Sequence, residues 1–437
     1  MSRQKQIRRR DLLAAAVAVT GFPAIVPGRA FGANGRVTMA SIGVGGQGGG
    51  HLRALTQMPE VRVVAACDVR QDRRDSAKQV VDSAYGDTAC KTYNDFREVL
   101  ARPDIDAILL AVPDHWHALI GLEAARRGKH MYYEKPMGIS VAEAQAMRAA
   151  VGKYGVVFQF GTQQRSSFYY RQACELVRNG RIGELHTIMI GSAGGRGTRI
   201  TYKPAPVPEG FDYDFWLGPA PWTPYAPERC TRDFTLIYDY SLGCLSGAWG
   251  IHDIDIAQWV NDSDETAPIE VEGRGRYMPD SIYDTAYSFE VEHRYANGVK
   301  LVHMDIVTAK SRAEQFQFGN MASVFFGTEG WIWVSREGIR TQPESLARSI
   351  VGPNEKKVIF SNDHRRNFLD AVRFGGPTIS PIAAAAQAEI VAQQADIAMR
   401  QKRRLRWDPA KEVFPGDPAA NRMLRRPMRS PWRLEEA

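Results

Sequence analysis

At 437 residues, with 44% hydrophobic and 24% charged side chains, the chain has a globular composition and exceeds the size at which one core keeps growing, so two folded domains are expected. A formal charge of +7 would suit a nucleic-acid partner, but residues 1–32 carry six basic side chains against Asp11 and leave only +2 on the remainder. With no basic-aromatic stacking motif either, nucleic acid is set aside as a partner.

Residues 8–13 read Arg-Arg-Arg-Asp-Leu-Leu, and an apolar run from Leu12 to Val26 follows, interrupted by Gly21 and Pro23 and closing near Ala30-Phe31-Gly32. This is the form of a twin-arginine secretion signal over residues 1–33, and it predicts export to the periplasm. The run holds about fifteen residues against the roughly twenty a spanning helix requires, so no permanent transmembrane span is expected. Cys67, Cys90, Cys174, Cys230 and Cys244 lack CxxC spacing, which argues against a zinc cluster or a redox dithiol. They read as buried small hydrophobes, although export permits a disulfide.

Val37 to Ile42 reads as a short strand running into Gly43-Val44-Gly45-Gly46-Gln47-Gly48, with a helix from His51 to Gln57. Strand, GxGxxG and helix in that order form a dinucleotide-binding fingerprint. Gly43 permits the tight turn, Gly45 lets the backbone approach a pyrophosphate, Gly48 allows close helix packing, and the helix N-terminus offers N–H groups to the anion. A second apolar run, Val61 to Cys67, ends at Asp68, 20 residues past Gly48, where a carboxylate suits an adenosine ribose diol and favours NAD. Arg70, Arg73 and Arg74 keep NADP open, because a guanidinium pairs with a 2′-phosphate. Helical patterns at Gln71 to Ala84 and Tyr93 to Arg102 alternate with strand-like runs at Ile105 to Val112, Lys129 to Tyr133 and Val156 to Phe160. Such alternation implies a Rossmann domain, a doubly wound parallel sheet, over residues 34–160.

Ligands of open α/β sheets sit beyond the carboxyl ends of the strands. Two places there stand out: Pro113-Asp114-His115-Trp116-His117, and Glu134-Lys135-Pro136. The first supplies too few ligands for a metal, and none is expected. In the second, a Lys between Glu and Pro at this strand of a Rossmann domain is a specific pattern rather than an ordinary solvated strand end.

With that triplet the chain resembles the Gfo/Idh/MocA oxidoreductase family, and its exported bacterial subgroup in particular. The resemblance extends through Ala65 to Val69, Val112 to His117, Gly161-Thr162-Gln163-Gln164-Arg165, Phe215 to Pro221, Trp249 to Trp259, and the tail at Leu405 to Asp408 and Arg426-Pro427. It implies that Lys135 lies near both nicotinamide and substrate, with Glu134 orienting it, and that His252 is general base or acid. Both roles are physically sound: a buried Lys stabilises a developing oxyanion, and a His removes a hydroxyl proton as hydride leaves. The implied cofactor contacts are Gly43, Gly45, Gly46, Gly48, Asp68, Pro113, His117, Glu134 and Lys135. The implied substrate contacts are Arg165, Trp216, Trp249, Asp253 and Asp255. Family members commonly carry an Asp four residues before the histidine. Here Ala248 stands in that place, which leaves Asp253 or Asp255 to supply the charge.

Beyond Gly161 the pattern shifts to longer strands such as Tyr287 to Glu292, with hairpin signals at Asn297-Gly298 and Gly327-Thr328-Glu329-Gly330. An α+β domain with a mostly antiparallel sheet is therefore expected over 161–380, and the resemblance implies that its exposed face makes homo-oligomer contacts. Thr201 to Arg232, rich in Pro and aromatics, reads as an ordered loop walling a polar pocket, where Trp216 and Trp222 either face sugar rings or pack in the core. Residues 381–437 read as an alanine-rich helix, Ile382 to Met399, and a wrapping tail.

An exported dehydrogenase meets no maintained nicotinamide pool, so the cofactor has to stay bound. The leading expectation is a redox-neutral cycle on a carbohydrate: glycoside cleavage, epimerisation or sugar-to-sugar hydride transfer. An ordinary NAD(P)-dependent sugar dehydrogenase is the enzymatic alternative, and a non-catalytic periplasmic sugar-binding protein is the alternative from a different class.

Overall fold

A computed structural model of the chain describes residues 35–193, 195–319 and 321–434, so the leader expected over 1–33 lies outside the described residues. Six strands, β1 (Val37–Ile42), β2 (Val61–Cys67), β3 (Lys91–Tyr93), β4 (Ala107–Leu110), β5 (His130–Tyr133) and β6 (Phe158–Phe160), form a parallel sheet in the order β3-β2-β1-β4-β5-β6. Helices α1 (Gly46–Thr56), α2 (Gln71–Tyr85), α3 (His117–Arg126) and α4 (Val141–Tyr154) belong to the crossovers. All four positions of β4 are buried, as expected of a parallel strand covered on both faces. The strand order reverses between β1 and β4, which opens a crevice at their carboxyl ends.

After α5 (Phe168–Arg178), a second sheet is built from β7 (Leu185–Ser192), β8 (Glu270–Arg276), β9 (Ser288–Arg294), β10 (Lys300–Asp305), β11 (Met321–Gly327), β12 (Gly330–Ser335), β13 (Gly338–Gln342) and β14 (Leu405–Arg406). Its order is β13-β12-β11-β7-β10-β9-β8-β14, antiparallel apart from the β7–β10 pair. Alternation dictates its buried face: in β9, Phe289, Val291 and His293 are buried while their neighbours are not. Both expected hairpins form, with Gly298 at φ 87° between β9 and β10, and Gly327 paired with Gly330 between β11 and β12.

Two helices, α6 (Gly250–Val260) and α8 (Ile382–Gln401), pack on this sheet, and α7 (His364–Phe374) precedes α8 in the chain. Every residue of α6 is buried, against β7, β11, α5 and α8. The small side chains of α8 let it approach α4, α6 and β8 together, and Ala384 through Met399 are all buried. From the far end of the second region, α7 returns to the first sheet and packs on β1 and β5.

The tail wraps the body. Arg429 Nη1 donates to Asp214 Oδ1 at 2.6 Å, and the Trp432 ring lies 4.7 Å from that of Trp116. All five cysteines are free thiols, four of them buried. Among the described residues no helix is long and apolar enough to cross a membrane.

Candidate active site

A cleft of about 960 Å³ opens at the switch point, and Gly43, Gly45 and Gly46 line one end of it. Gly43 has φ 81°, and a Cβ there would sit 2.2 Å from the Ala111 carbonyl oxygen, so the tight turn admits no side chain. Gly48 does not line the cleft. A Cβ on it would lie 1.9 Å from the Gly43 carbonyl oxygen, so its part is to let α1 close on the turn. At Gly46 a Cβ would meet nothing within 4 Å. No side chain caps α1, whose first N–H groups are left for an anion.

Asp68 follows β2, 8% exposed, and accepts from the Val44 and Arg70 N–H groups at 3.1 and 3.0 Å. Burial raises its pKa against the charge of Arg73. Of the three nearby arginines, Arg70 pairs with Asp72 and Arg74 donates to the Asp68 carbonyl oxygen and to Asn94. Arg73 alone faces the cleft, 3.8 Å from Asp68. An open glycine turn, an uncapped helix start and a buried carboxylate fit a dinucleotide with a free ribose diol.

Against the first turns of α1 stands Glu134, on the segment after β5. Its Oε1 accepts from His51 Nε2 at 2.7 Å, Gln163 Nε2 at 2.8 Å and Gln47 Nε2 at 3.2 Å. Arg365 Nε donates to His51 Nδ1 at 3.0 Å, which leaves the ring proton on Nε2 for Glu134. Burial opposes the charge of Glu134, but the His51 hydrogen bond and the Lys135 ammonium outweigh it and hold the carboxyl well below its usual range. Glu134 touches Lys135 only through the backbone, accepting from its N–H at 3.2 Å. The expectation that Glu134 orients the lysine side chain is corrected accordingly.

The ammonium of Lys135 points instead across the cleft, donating to the carbonyl oxygens of Gly247 at 2.6 Å and Ala248 at 3.3 Å. Asp114 lies beside them: a Cβ on Gly247 would be 2.1 Å from its Oδ2, which accepts from Ser241 Oγ. Burial pushes Asp114 up to about 6, against the charge of Lys135 and the Ser241 bond. Asp114 thus brings a carboxyl group against the turn that carries Ala248. Glu389 of α8 holds both loops, accepting from the Met137 N–H at 3.3 Å and from Ser246 Oγ at 2.8 Å.

His252, 4% exposed, lines the same cleft on the first turn of α6. Its Nδ1 is buried and bonds to nothing in the described chain. Burial, then the charges of Lys135 and Arg336, press its pKa down to about 3, so the ring is neutral. Trp249, 6.4 Å away between ring centroids, also lines the cleft, as do Pro113, His117 and Trp216. The His117 ring is fixed between the carbonyl oxygens of Pro136 and Val112, at 2.5 and 2.8 Å. Trp222 is 65% exposed and stands outside.

Three expected substrate contacts do not face the cleft. A helix turns about 100° per residue, so α6 can aim His252 at the cleft while its neighbours look elsewhere. Asp253 Oδ2 accepts from Ser192 Oγ of β7 at 2.9 Å. Asp255 is locked to Arg165, Nε to Oδ2 and Nη2 to Oδ1, both at 2.8 Å, with Asp264 on the other side of the guanidinium. Arg165 and Asp255 are thus a buried ion pair, and neither Asp253 nor Asp255 supplies the charge absent at Ala248. Sequence reasoning missed Gln47, His51 and Gln163 around Glu134, the part played by Asp114, and Arg336 at the rim. For Asp114 a signal existed, its place after β4. For Arg336 none did.

Two family models divide the chain between them. "Oxidoreductase family, NAD-binding Rossmann fold" matches residues 37–162, and "Oxidoreductase family, C-terminal alpha/beta domain" matches 176–434. The chain belongs to the Gfo/Idh/MocA oxidoreductase family. Within it, the chain is 28% identical over 151 residues to a myo-inositol 2-dehydrogenase of Thermotoga maritima, covering 35% of this chain and 43% of that one. It is 36% identical over 119 residues to a glycosyl hydrolase family 109 protein of Saccharopolyspora erythraea, 26% of each chain. The chain spans less than half the length of these curated relatives. A solved scyllo-inositol dehydrogenase of Lactobacillus casei, with bound NAD(H) and scyllo-inositol, shares the Gfo/Idh/MocA fold at a TM-score of 0.59 and 16% identity, over 85% of this chain and 99% of that one.

Proposed function

We propose that this family member is an NAD-dependent oxidoreductase of a sugar or polyol, exported by the twin-arginine route with its cofactor seated, and running a redox-neutral cycle: glycoside cleavage, epimerisation or sugar-to-sugar hydride transfer. The observation that carries this is a single cleft lined at once by the glycine turn, Lys135 and His252. Bound NAD supplies a hydride acceptor, which has to be restored within the cycle where no soluble nicotinamide pool is kept.

The chain's own groups supply the rest. Lys135, held by two backbone carbonyls, sets an ammonium where a hydroxyl oxygen turning into a carbonyl gathers negative charge. Neutral His252 accepts the hydroxyl proton on its imidazole. Asp114, against the same turn, offsets the charge of the ammonium. The C–H next to the new carbonyl is then acidic, and the imidazole, having passed the first proton to solvent in the open cleft, is the base available to take the second.

The test uses protein purified from the periplasm with its nucleotide bound. Sugars are added with no free NAD. Repeated turnover is the expected result. A single stoichiometric reduction that resumes only on adding NAD marks an ordinary dehydrogenase, and silence across a broad panel with nucleotide present marks a sugar-binding protein.

A further inference from the structure

A second cavity of about 500 Å³ lies against the cleft, and Trp249 and Arg336 line both. On its own it falls within the ~300–1,000 Å³ typical of small-molecule pockets. Beyond these two residues, its lining is aromatic at Phe316, Phe318 and Trp333 and polar at the exposed side chains of Lys310, Glu314, Gln317 and Glu337. Two cations and two carboxylates balance to no net charge. None of the four charged side chains forms an ion pair with a described residue, although the Arg336 guanidinium lies over the Trp249 ring at 5.8 Å. Such a wall offers donors and acceptors of both kinds. Aromatic lining amid exposed groups of both signs and no net charge suits a neutral, hydroxyl-rich ring, whose C–H faces stack on the aromatic side chains while its hydroxyls donate to the carboxylates and accept from Lys310 and Arg336.

Trp249 stands 6.4 Å from His252, so a ring oxidised beside His252 has its neighbour in a chain of sugars just across the Trp249–Arg336 divide. We propose that this annex, bounded by Trp249 and Arg336, seats the second ring of a glycoside, making the substrate a neutral disaccharide or larger saccharide rather than a free monosaccharide or cyclitol. The inference rests on the reading that the cleft oxidises a sugar.

The test compares matched pairs on the holoprotein: α- and β-linked disaccharides of glucose, galactose, mannose and N-acetylhexosamines against the methyl glycosides of the same sugars. Reduction of bound nicotinamide is followed by its near-ultraviolet absorbance, and affinity by calorimetry. The best disaccharide is expected to bind at least about tenfold more tightly than its methyl glycoside, the gain of one or two net hydrogen bonds. A Lys310→Ala/Glu314→Ala double variant, altered at two exposed positions, is expected to abolish most of that advantage through KM rather than kcat. Equal or better use of the methyl glycosides, or an advantage that survives the double variant, overturns the annex and leaves the functional reading standing. No reduction with any member, nucleotide being present, overturns both.

Discussion

The Lys135 ammonium donates to the Gly247 carbonyl oxygen at 2.6 Å, across 112 residues of sequence, and so joins the segment after β5 to the turn before α6. That bond aims the lysine at the cleft without a carboxylate gripping it, and, with Ala248 taking a second N–H, leaves one donor for a substrate oxygen. In the proposed cycle, Lys135→Met deprives the oxyanion of its donor while the glycine turn is untouched. The expected loss in kcat is about 10²–10³-fold, with nucleotide still bound, as native mass spectrometry of the variant checks. Full turnover would remove Lys135 from the mechanism.

His252 is neutral because it is buried beside two cations, with its pKa near 3. In the proposed cycle the ring is thus in its unprotonated form throughout the neutral range, and its acid limb lies far below. The expected pH profile of kcat/KM shows no loss attributable to His252 between about pH 8 and pH 5. His252→Gln keeps the ring's polarity without its basicity and is expected to lower kcat by about 10²–10⁴-fold. A limb near the ordinary histidine value would show that the ring is charged in the free enzyme.

Glu389 carries a different pH signature. Burial raises it from 4.5 to about 7, against hydrogen bonds from Gln393, Ser246 and Met137. Between those two values the folded chain binds more protons at this site than the unfolded one, so the contribution to stability falls as pH rises from 4.5 to about 7. Glu389→Gln removes that titration, and its amide oxygen can still accept from Met137 and Ser246. The Tm of the variant relative to wild type is expected to climb by about 2–4 °C from pH 5 to pH 8, measured by calorimetry. A gap that does not change with pH would mean that Glu389 keeps an ordinary pKa.

Much of this was legible where the signal is local. The β1 strand, the glycine turn, Asp68, the Glu-Lys-Pro segment and both hairpins follow from short-range pattern. The start of α1 does not: the pattern suggested His51, yet the helix begins at Gly46, because Gly48 packing on the Gly43 carbonyl overrides the poor helix propensity of glycine. Edge strand β3, three residues long, ends at Tyr93, where the helical pattern was read to begin, and the helix itself starts only at Phe96. Arg165 and Asp255 have the chemistry of site residues, and nothing local reveals that they face each other rather than the cleft. Arg336 and Glu389 arrive from distant segments with no motif of their own.

The glycines of the turn separate two kinds of constraint. Gly46→Ala adds a methyl group to open space and is expected to keep the wild-type Tm, while crowding the pyrophosphate and weakening NAD by about tenfold. Gly48→Ala drives a Cβ into the Gly43 carbonyl and is expected to lower Tm as well as NAD affinity. Thermal melts with and without NAD distinguish them. Equal loss of Tm in both would place Gly46 in the packing and not at the ligand.

Arg165→Met tests the correction made at α6. Arg165 is 1% exposed and Asp255 fully buried, so the substitution leaves an uncompensated carboxylate in the core and is expected to cost about 3–5 kcal/mol in urea denaturation at neutral pH. Burial already raises Asp255 against the charge of Arg165. Without the guanidinium the carboxyl protonates more readily still, and the neutral acid is cheaper to bury, so the deficit is expected to shrink as pH falls. The fraction that remains folded should bind sugar with unchanged KM. A variant of wild-type stability with a raised KM would instead return Arg165 to the substrate.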